Sequence, residues 1–164
     1  MPVNKEDVIG RPTGAATIHV ERGPVKNFAE AVTDLNPVYQ DRAAAREAGF
    51  DDIPAPPTFT FAAVNWGAFP EDQPPDPTGG SNPMAEIIGG LMAEGGMVLH
   101  GEQEFVYHKP VQVGDTLHHE GNVADFYTKE SKGKTMTFLV IENRYTDDAG
   151  EPVVTEYFNL IHRS

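Results

Sequence analysis

The sequence contains no cysteine. That excludes a disulfide framework, a thiolate metal site and a cysteine nucleophile. Basic residues are scarce: 12 lysines and arginines stand against 25 aspartates and glutamates, for a net charge of −13. Non-specific binding to nucleic acid or to a membrane surface needs a basic face, so this balance argues against both. An anionic ligand would need a few cations gathered locally. No apolar run reaches the length of a membrane span, and the N-terminal MPVNKEDVIG has no apolar signal core. A soluble, cytoplasmic protein is expected. Serine is also rare. Ser81, Ser131 and Ser164 are outside any G-x-S-x-G, which argues against a serine hydrolase. His118 and His119 would face opposite sides of a strand, and HExxH is missing, so no metal site is expected.

What is present suits a globular domain: 164 residues, 39% hydrophobic and 23% charged. Residues 16–21, ATIHVE, alternate like a short strand. Gly23-Pro24 breaks it, and Pro24 suits the first turn of a helix whose stripe is Val25, Phe28, Ala29 and Val32. After the loop DLNPVYQD, residues 34–41, DRAAAREAGF predicts a short helix capped by Asp41 and stopped at Gly49. IPAPP, residues 53–57, cannot be helix interior. TFTFAAVNWGAF, residues 58–69, is apolar on nearly every side, which predicts a helix buried all round with Thr58 as its cap. Residues 70–96 are rich in proline and glycine and predict a long loop or insertion with one helical turn within 84–92. They contain no GxxxxGK[ST] phosphate loop.

From Met97 onward, β-branched and aromatic residues are punctuated by turns at Gly114-Asp115, Lys132-Gly133 and Asp148-Ala149-Gly150, which predicts successive antiparallel strands. Helices in the first half and a meander in the second predict one α+β domain over residues 1–164, an antiparallel sheet wrapped on a buried helix.

The residues with chemical potential concentrate in DLNPVYQD. As a bare turn, Asp34 would cap it, Asn36-Pro37 would initiate it and Tyr39 would pack. The loop lies upstream of the Thr58 helix, whose free N–H groups could polarise a carbonyl. His100, His108 and His162 fall on predicted strands, where surface or core roles are the ordinary ones, although His100 borders the glycine-rich segment.

The stretch TDLNPVY, residues 33–39, with Ala45 beyond it, resembles the G-D-x-N-P-x-H motif and following small residue of MaoC-like (R)-specific enoyl-CoA hydratases and 3-hydroxyacyl dehydratases. APPTFTF, residues 55–61, and HGEQEFVYHKPVQVGD, residues 100–115, which carries F/Y-x-x-P-v-x-x-G-D, extend the resemblance over nearly the whole chain. In particular the chain is similar to the amino-terminal-type MaoC dehydratase domain of accessory subunits of actinobacterial fatty-acid-synthase type II dehydratases. Those subunits carry NPxY and APxTF where their catalytic partners carry DxNPxH and AHG.

The resemblance implies a hot-dog fold, a sheet around a long central helix. It implies an acyl-CoA or acyl-carrier-protein thioester as substrate, no cofactor, and side-by-side pairing as a homodimer or as a heterodimer with a hot-dog chain carrying the catalytic Asp and His. Asp34 matches the catalytic aspartate. Tyr39 occupies the histidine position, and an unperturbed phenol, with a pKa of about 10, is a poor base at neutral pH. Pro57 matches a glycine whose N–H would hold the thioester oxygen, and proline has no N–H. Losing one such donor typically costs on the order of a hundredfold or more in rate. Asn36, Pro57, Thr58, Phe59 and His100 would shape the substrate site, with Phe61 and Trp66 as candidates for its floor. Lys109, Lys129, Lys132, Lys134 and Arg144 are the cations available to a phosphate.

Three functions remain open on these residues. The chain is a substrate-holding subunit with catalysis on its partner, a self-sufficient hydratase using Asp34 with Tyr39 or a repositioned His100, or a non-enzymatic acyl-thioester binder.

Overall fold

The computed structural model describes residues 5–93, 95–131 and 133–164, so Lys132 lies outside the described residues. In chain order the elements are α1 (Lys5–Val8), β1 (Pro12–His19), α2 (Arg22–Ala31), α3 (Arg42–Glu47), α4 (Phe59–Gly67), α5 (Pro83–Ala93), β2 (Met97–Tyr107), β3 (Thr116–Ser131), β4 (Lys134–Thr146) and β5 (Pro152–Arg163). The strands form one antiparallel sheet in the order β1-β3-β4-β5-β2. From β3 to β5 the chain is the expected meander. β2 departs from it and pairs with β5 instead of with its sequence neighbour β3. Residues 108–115 cannot fold back as a tight hairpin because they are engaged elsewhere. They pair with the proline-rich IPAPP segment, through Ala55 N–H to the Val111 carbonyl (2.7 Å) and Val113 N–H to the Ile53 carbonyl (2.9 Å).

The short helices follow their local signals. Pro24 lies in the first turn of α2, and Val25 and Ala29 are its buried face. Val32 falls just past the end of α2 and is exposed, so the predicted stripe is one position too long. Asp41 caps α3 by accepting the Ala44 N–H at 2.8 Å, and Gly49, at φ +94°, turns the chain out of it.

Two expectations need correction. First, α4 is only nine residues long and is not buried all round. Phe59, Thr60, Ala63 and Gly67 face inward, while Phe61 (46%), Val64 (44%) and Trp66 (43%) remain exposed. Composition marks the helix as apolar on every side, but within one chain the sheet and α2 cover only part of it. Second, residues 70–96 are more ordered than an insertion with one helical turn. They contain a 3-10 turn at Pro70–Asp72 and the eleven-residue α5. Met84, Ile87 and Leu91 recur at three and four residues and pack into the core, with Ile87 fully buried.

This segment also covers the free edge of β1. The Gln73 side-chain amide accepts the Thr17 N–H (3.1 Å) and donates to the Thr17 carbonyl (3.0 Å), as a neighbouring strand would. His19 to Asp72 (2.9 Å) and Arg11 to Glu86 (3.0 Å) tie down the rest.

The core has two apolar parts. Ile18, Val25, Ile53, Phe59, Ala63, Leu117 and Val154 pack beneath α2 and α4. Val8, Ile87, Val123, Phe126, Leu139 and Ile141 pack beneath α5. A polar row separates them across the inner face of the sheet. Asn143 on β4 stands opposite Glu156 on β5. The His119 ring lies 3.0 Å from Asn143 Oδ1, and Gln103 on β2 donates to Glu156 Oε1 at 2.6 Å. Glu156 is completely buried.

α4 reaches the sheet most closely at its C-terminal end. A methyl group at Gly67 would run into the His19 carbonyl and the Ile18 side chain. Alanine is the better helix former by about 1 kcal/mol. Overpacking against backbone outweighs that gain, so Gly67→Ala is expected to destabilise the fold by about 1–3 kcal/mol. A urea midpoint that stays put or rises in this variant would contradict the close α4–β1 approach.

Candidate functional site

Four segments converge on a pocket of about 620 Å³: the loop of residues 36–39, the turn after α3, the start of α4, and the chain leaving β2. The loop is built by nested turns. Asp34 Oδ1 accepts the Asn36 N–H (3.1 Å) and Asn36 Oδ1 accepts the Val38 N–H (3.2 Å), which shapes the 3-10 turn Pro37–Tyr39. Arg22 anchors the loop by donating to the Gln40 carbonyl at 2.9 Å. Arg42 on α3 pairs with Asp52 (3.0 Å) and so ties that helix to the proline-rich wall. Proline fixes φ, so the wall formed by Pro54, Pro56 and Pro57 is stiff before any ligand arrives.

The start of α4 is unusual. Thr58 is exposed and held at φ +70°, a left-handed conformation that is a true outlier for a β-branched residue. Its hydroxyl does not cap the helix, contrary to expectation. Its backbone N–H instead donates to the Tyr107 hydroxyl across the pocket at 3.3 Å. Pro57 offers no N–H, and the Phe59 N–H is engaged with the Pro56 carbonyl at 3.1 Å. Thr58 therefore supplies the exchangeable backbone donor at this end of α4, where the helix dipole is positive. Thr60, two residues on, also lines the pocket.

Among the described residues, no aspartate or glutamate lines the pocket. Tyr39 is held above its ordinary pKa, first by burial and then by the nearby Asp34 charge, so it remains a protonated donor. His108 lines the pocket just past the end of β2, rather than on a strand, and its Nε2 lies 3.0 Å from Thr155 Oγ1. Lys109 also lines it and pairs with Asp147. Hydrogen-bond donors and a cation in walls of proline and aromatic rings suit an apolar ligand with a carbonyl and an anionic end.

The structure brings Asn36, Tyr39, Pro57, Thr58 and Phe59 together around this pocket. It does not bring the other two candidates. Asp34 is absent from the lining, its carboxylate turned into the loop. His100 lies seven residues before Tyr107 on β2, edge-on to Phe158 at 4.5 Å, with Phe61 at 6.1 Å. Trp66 packs with Phe28 and Phe59 behind the pocket wall. Of the expected cations among the described residues, only Lys109 lines the pocket, and Lys132 lies outside them. Lys129 sits over the Tyr127 and Phe138 rings, and Arg144 pairs with Glu142 at 2.8 Å. Sequence reasoning missed Tyr107 and His108. Their signal was the Y-x-x-P of residues 107–110.

Comparison with known proteins bears on this geometry. Residues 7–156 match the profile of the "FAS1-like, dehydratase domain region" family. A "UPF0336 protein" of Thermobifida fusca is 34% identical over 144 residues, covering 88% of this chain and 83% of that protein. A "probable enoyl-CoA hydratase alpha subunit" of Thermomonospora curvata is 29% identical over 143 residues, 84% of this chain but 43% of that longer protein. The ChsH1–ChsH2 complex of Mycobacterium tuberculosis superposes with a TM-score of 0.70 at 25% identity, over 92% of this chain and 83% of that one. The HadBC 3R-hydroxyacyl-ACP dehydratase complex of the same organism has a TM-score of 0.66 at 24% identity, over 96% and 99%, which shows a shared hot-dog fold.

The strained cap makes its own prediction. Left-handed strain at a non-glycine residue costs on the order of 1–3 kcal/mol, against roughly 0.5–1 for the entropy of glycine. Thr58 is exposed, so little packing is lost with its side chain. Thr58→Gly should stabilise the chain by about 1 kcal/mol while keeping the N–H. A lower melting temperature for this variant would contradict the strain.

Proposed function

This chain belongs to the FAS1-like dehydratase-region family, and from that premise we propose that it is the substrate-holding subunit of an enoyl-thioester hydratase or 3-hydroxyacyl-thioester dehydratase. The observation that carries the reading is a pocket with carbonyl donors and, among the described residues, no carboxylate lining it.

Hydration adds a hydroxyl to C3 and a proton to C2 of the enoyl thioester, and negative charge gathers on the thioester oxygen as the bond to C3 forms. The reaction needs a base for the water, an acid for C2 and donors for that oxygen. The Thr58 N–H meets the last need by exchanging the Tyr107 hydroxyl for the thioester oxygen, in place of the donor that Pro57 lacks. Tyr39 and the Asn36 amide add polar contacts, and Lys109, released from Asp147, meets a phosphate at the mouth. The base is the missing part. The Asp34 carboxylate is turned into its loop, and Tyr39 is held protonated. The acid and base therefore come from a second hot-dog chain.

The surface supports such pairing. β2 is an edge strand of eleven residues, and Met97, Leu99, Val106 and Tyr107 on it are exposed. The uncovered side of α4 adds Phe61, Val64 and Trp66. An open apolar edge of this length is a surface that proteins cover. The two M. tuberculosis complexes of this fold each join unlike chains.

With crotonyl-CoA, the purified chain should show no loss of enoyl absorbance by itself. Mixing it with a hot-dog chain bearing D-x-N-P-x-H should produce turnover. Robust hydration by the lone chain, abolished by Asp34→Asn, would contradict the subunit reading and favour a self-sufficient enzyme.

A further inference from the structure

Glu156 is a completely buried carboxyl that forms no salt bridge among the described residues. Its hydrogen-bond partners are neutral. Gln103 Nε2 donates to Oε1 at 2.6 Å, and the Tyr145 hydroxyl lies 3.4 Å from Oε2. The same hydroxyl lies 3.2 Å from the backbone carbonyl of Thr60, in the first turn of α4. Two acceptors thus compete for one phenolic proton. If Glu156 is ionised, the carboxylate is the stronger acceptor and draws that proton away from Thr60. If Glu156 is protonated at Oε2, its own hydroxyl donates to the phenol oxygen, and Tyr145 gives its proton wholly to the Thr60 carbonyl. The protonated arrangement gives the phenol oxygen and the Thr60 carbonyl a donor each, with no competition for the phenolic proton.

We infer that Glu156 is a positioning residue of the pocket: in its neutral form it acts through Tyr145 to hold the first turn of α4, and with it the Thr58 N–H, in place against the sheet. The geometry stands by itself, while its use in binding rests on the thioester site proposed above.

The groups around Glu156 shift it toward its neutral form. Burial pushes its pKa above the ordinary carboxylate range. Hydrogen bonds from Gln103, Tyr145 and Asn143, and the charge of His100, pull the other way without prevailing. On β3, His119 reaches Glu156 through Asn143 and its ring lies 4.9 Å from that of Tyr145, and burial lowers its pKa, which disfavours its charged form. On β4, the Tyr145 phenol is pushed far up, by burial first and then by Glu156, and stays a donor at every working pH. α4 contributes no titratable side chain. A carboxyl whose pKa is raised on folding favours the native arrangement below its unfolded pKa, and that contribution is lost as pH rises through the folded value. The first turn of α4 should loosen in that direction.

Resonance titration of the full chain tests this. The Glu156 carboxyl should titrate above the usual carboxylate range, and the Thr58 amide and Thr60 carbonyl signals should follow the same curve. In Glu156→Gln, which mimics the neutral form, both signals should stay at their low-pH positions throughout. In Tyr145→Phe, Glu156 should titrate while Thr58 and Thr60 do not follow. Octanoyl-CoA binding, read by calorimetry, should weaken about fivefold across the Glu156 titration, the worth of one net hydrogen bond, and lose this dependence in Glu156→Gln. Thr58 and Thr60 signals that ignore Glu156, or that move alike in Glu156→Gln, would overturn the inference. Failure of octanoyl-CoA to bind at any pH would sink the thioester site, and the resonance curves would then decide the coupling by themselves.

Discussion

The packing of α4 on the inner face of the sheet is the contact on which the rest of the structure depends. At its C-terminal end, Gly67 lets the helix close onto the backbone of β1. At its N-terminal end, Tyr145 reaches the Thr60 carbonyl from β4. Two anchors of different kinds, one steric and one polar, fix the tilt of a nine-residue helix. The inner side of α4 completes one apolar cluster, its first turn forms one wall of the pocket, and Phe61, Val64 and Trp66 on its outer side are exposed. The polar row through Asn143 and Glu156 divides the core, so α4 and α5 each cover a separate apolar patch.

On the proposed function, the pocket keeps part of a catalytic site. The prolines at 54, 56 and 57 stiffen its wall but remove a donor. The left-handed Thr58 supplies one in its place. Backbone strain at a ligand-facing position is characteristic of sites where geometry matters more than local stability. On the same reading the acid–base half belongs to another chain. The Asp34 carboxylate closes a turn, and Tyr39 remains a protonated phenol. A donor without a base fits a subunit that holds and polarises a carbonyl while another chain moves the protons.

Much of the fold was legible because its signals are local. Asp41, Gly49 and Pro24 mark helix ends by their own chemistry, and they do so in the structure. α5 was hidden because Gly89 and Gly90 interrupt its stripe and proline-rich sequence precedes it, whereas its formation depends on Ile87 finding a distant patch on the sheet. The β2–β5 pairing is non-local and leaves no mark in either strand alone. The apolar girdle of α4 was read correctly as composition, yet composition does not say whether a sheet or a second chain covers each side. In the site, the N-P-x-Y scaffold located the loop. The direction of the Asp34 carboxylate depends on a backbone turn, and His108 joins the pocket only because residues 108–115 cross to meet IPAPP.

The central claim is that this chain binds and polarises an enoyl thioester without hydrating it. Crotonyl-CoA labelled with ¹³C at the thioester carbonyl and added to the chain alone tests both halves in one spectrum. The account predicts a downfield shift of the bound carbonyl, a matching displacement of the Thr58 amide signal, and vinyl resonances that persist indefinitely. An unshifted carbonyl, or vinyl signals replaced by those of the 3-hydroxyacyl product, would contradict it.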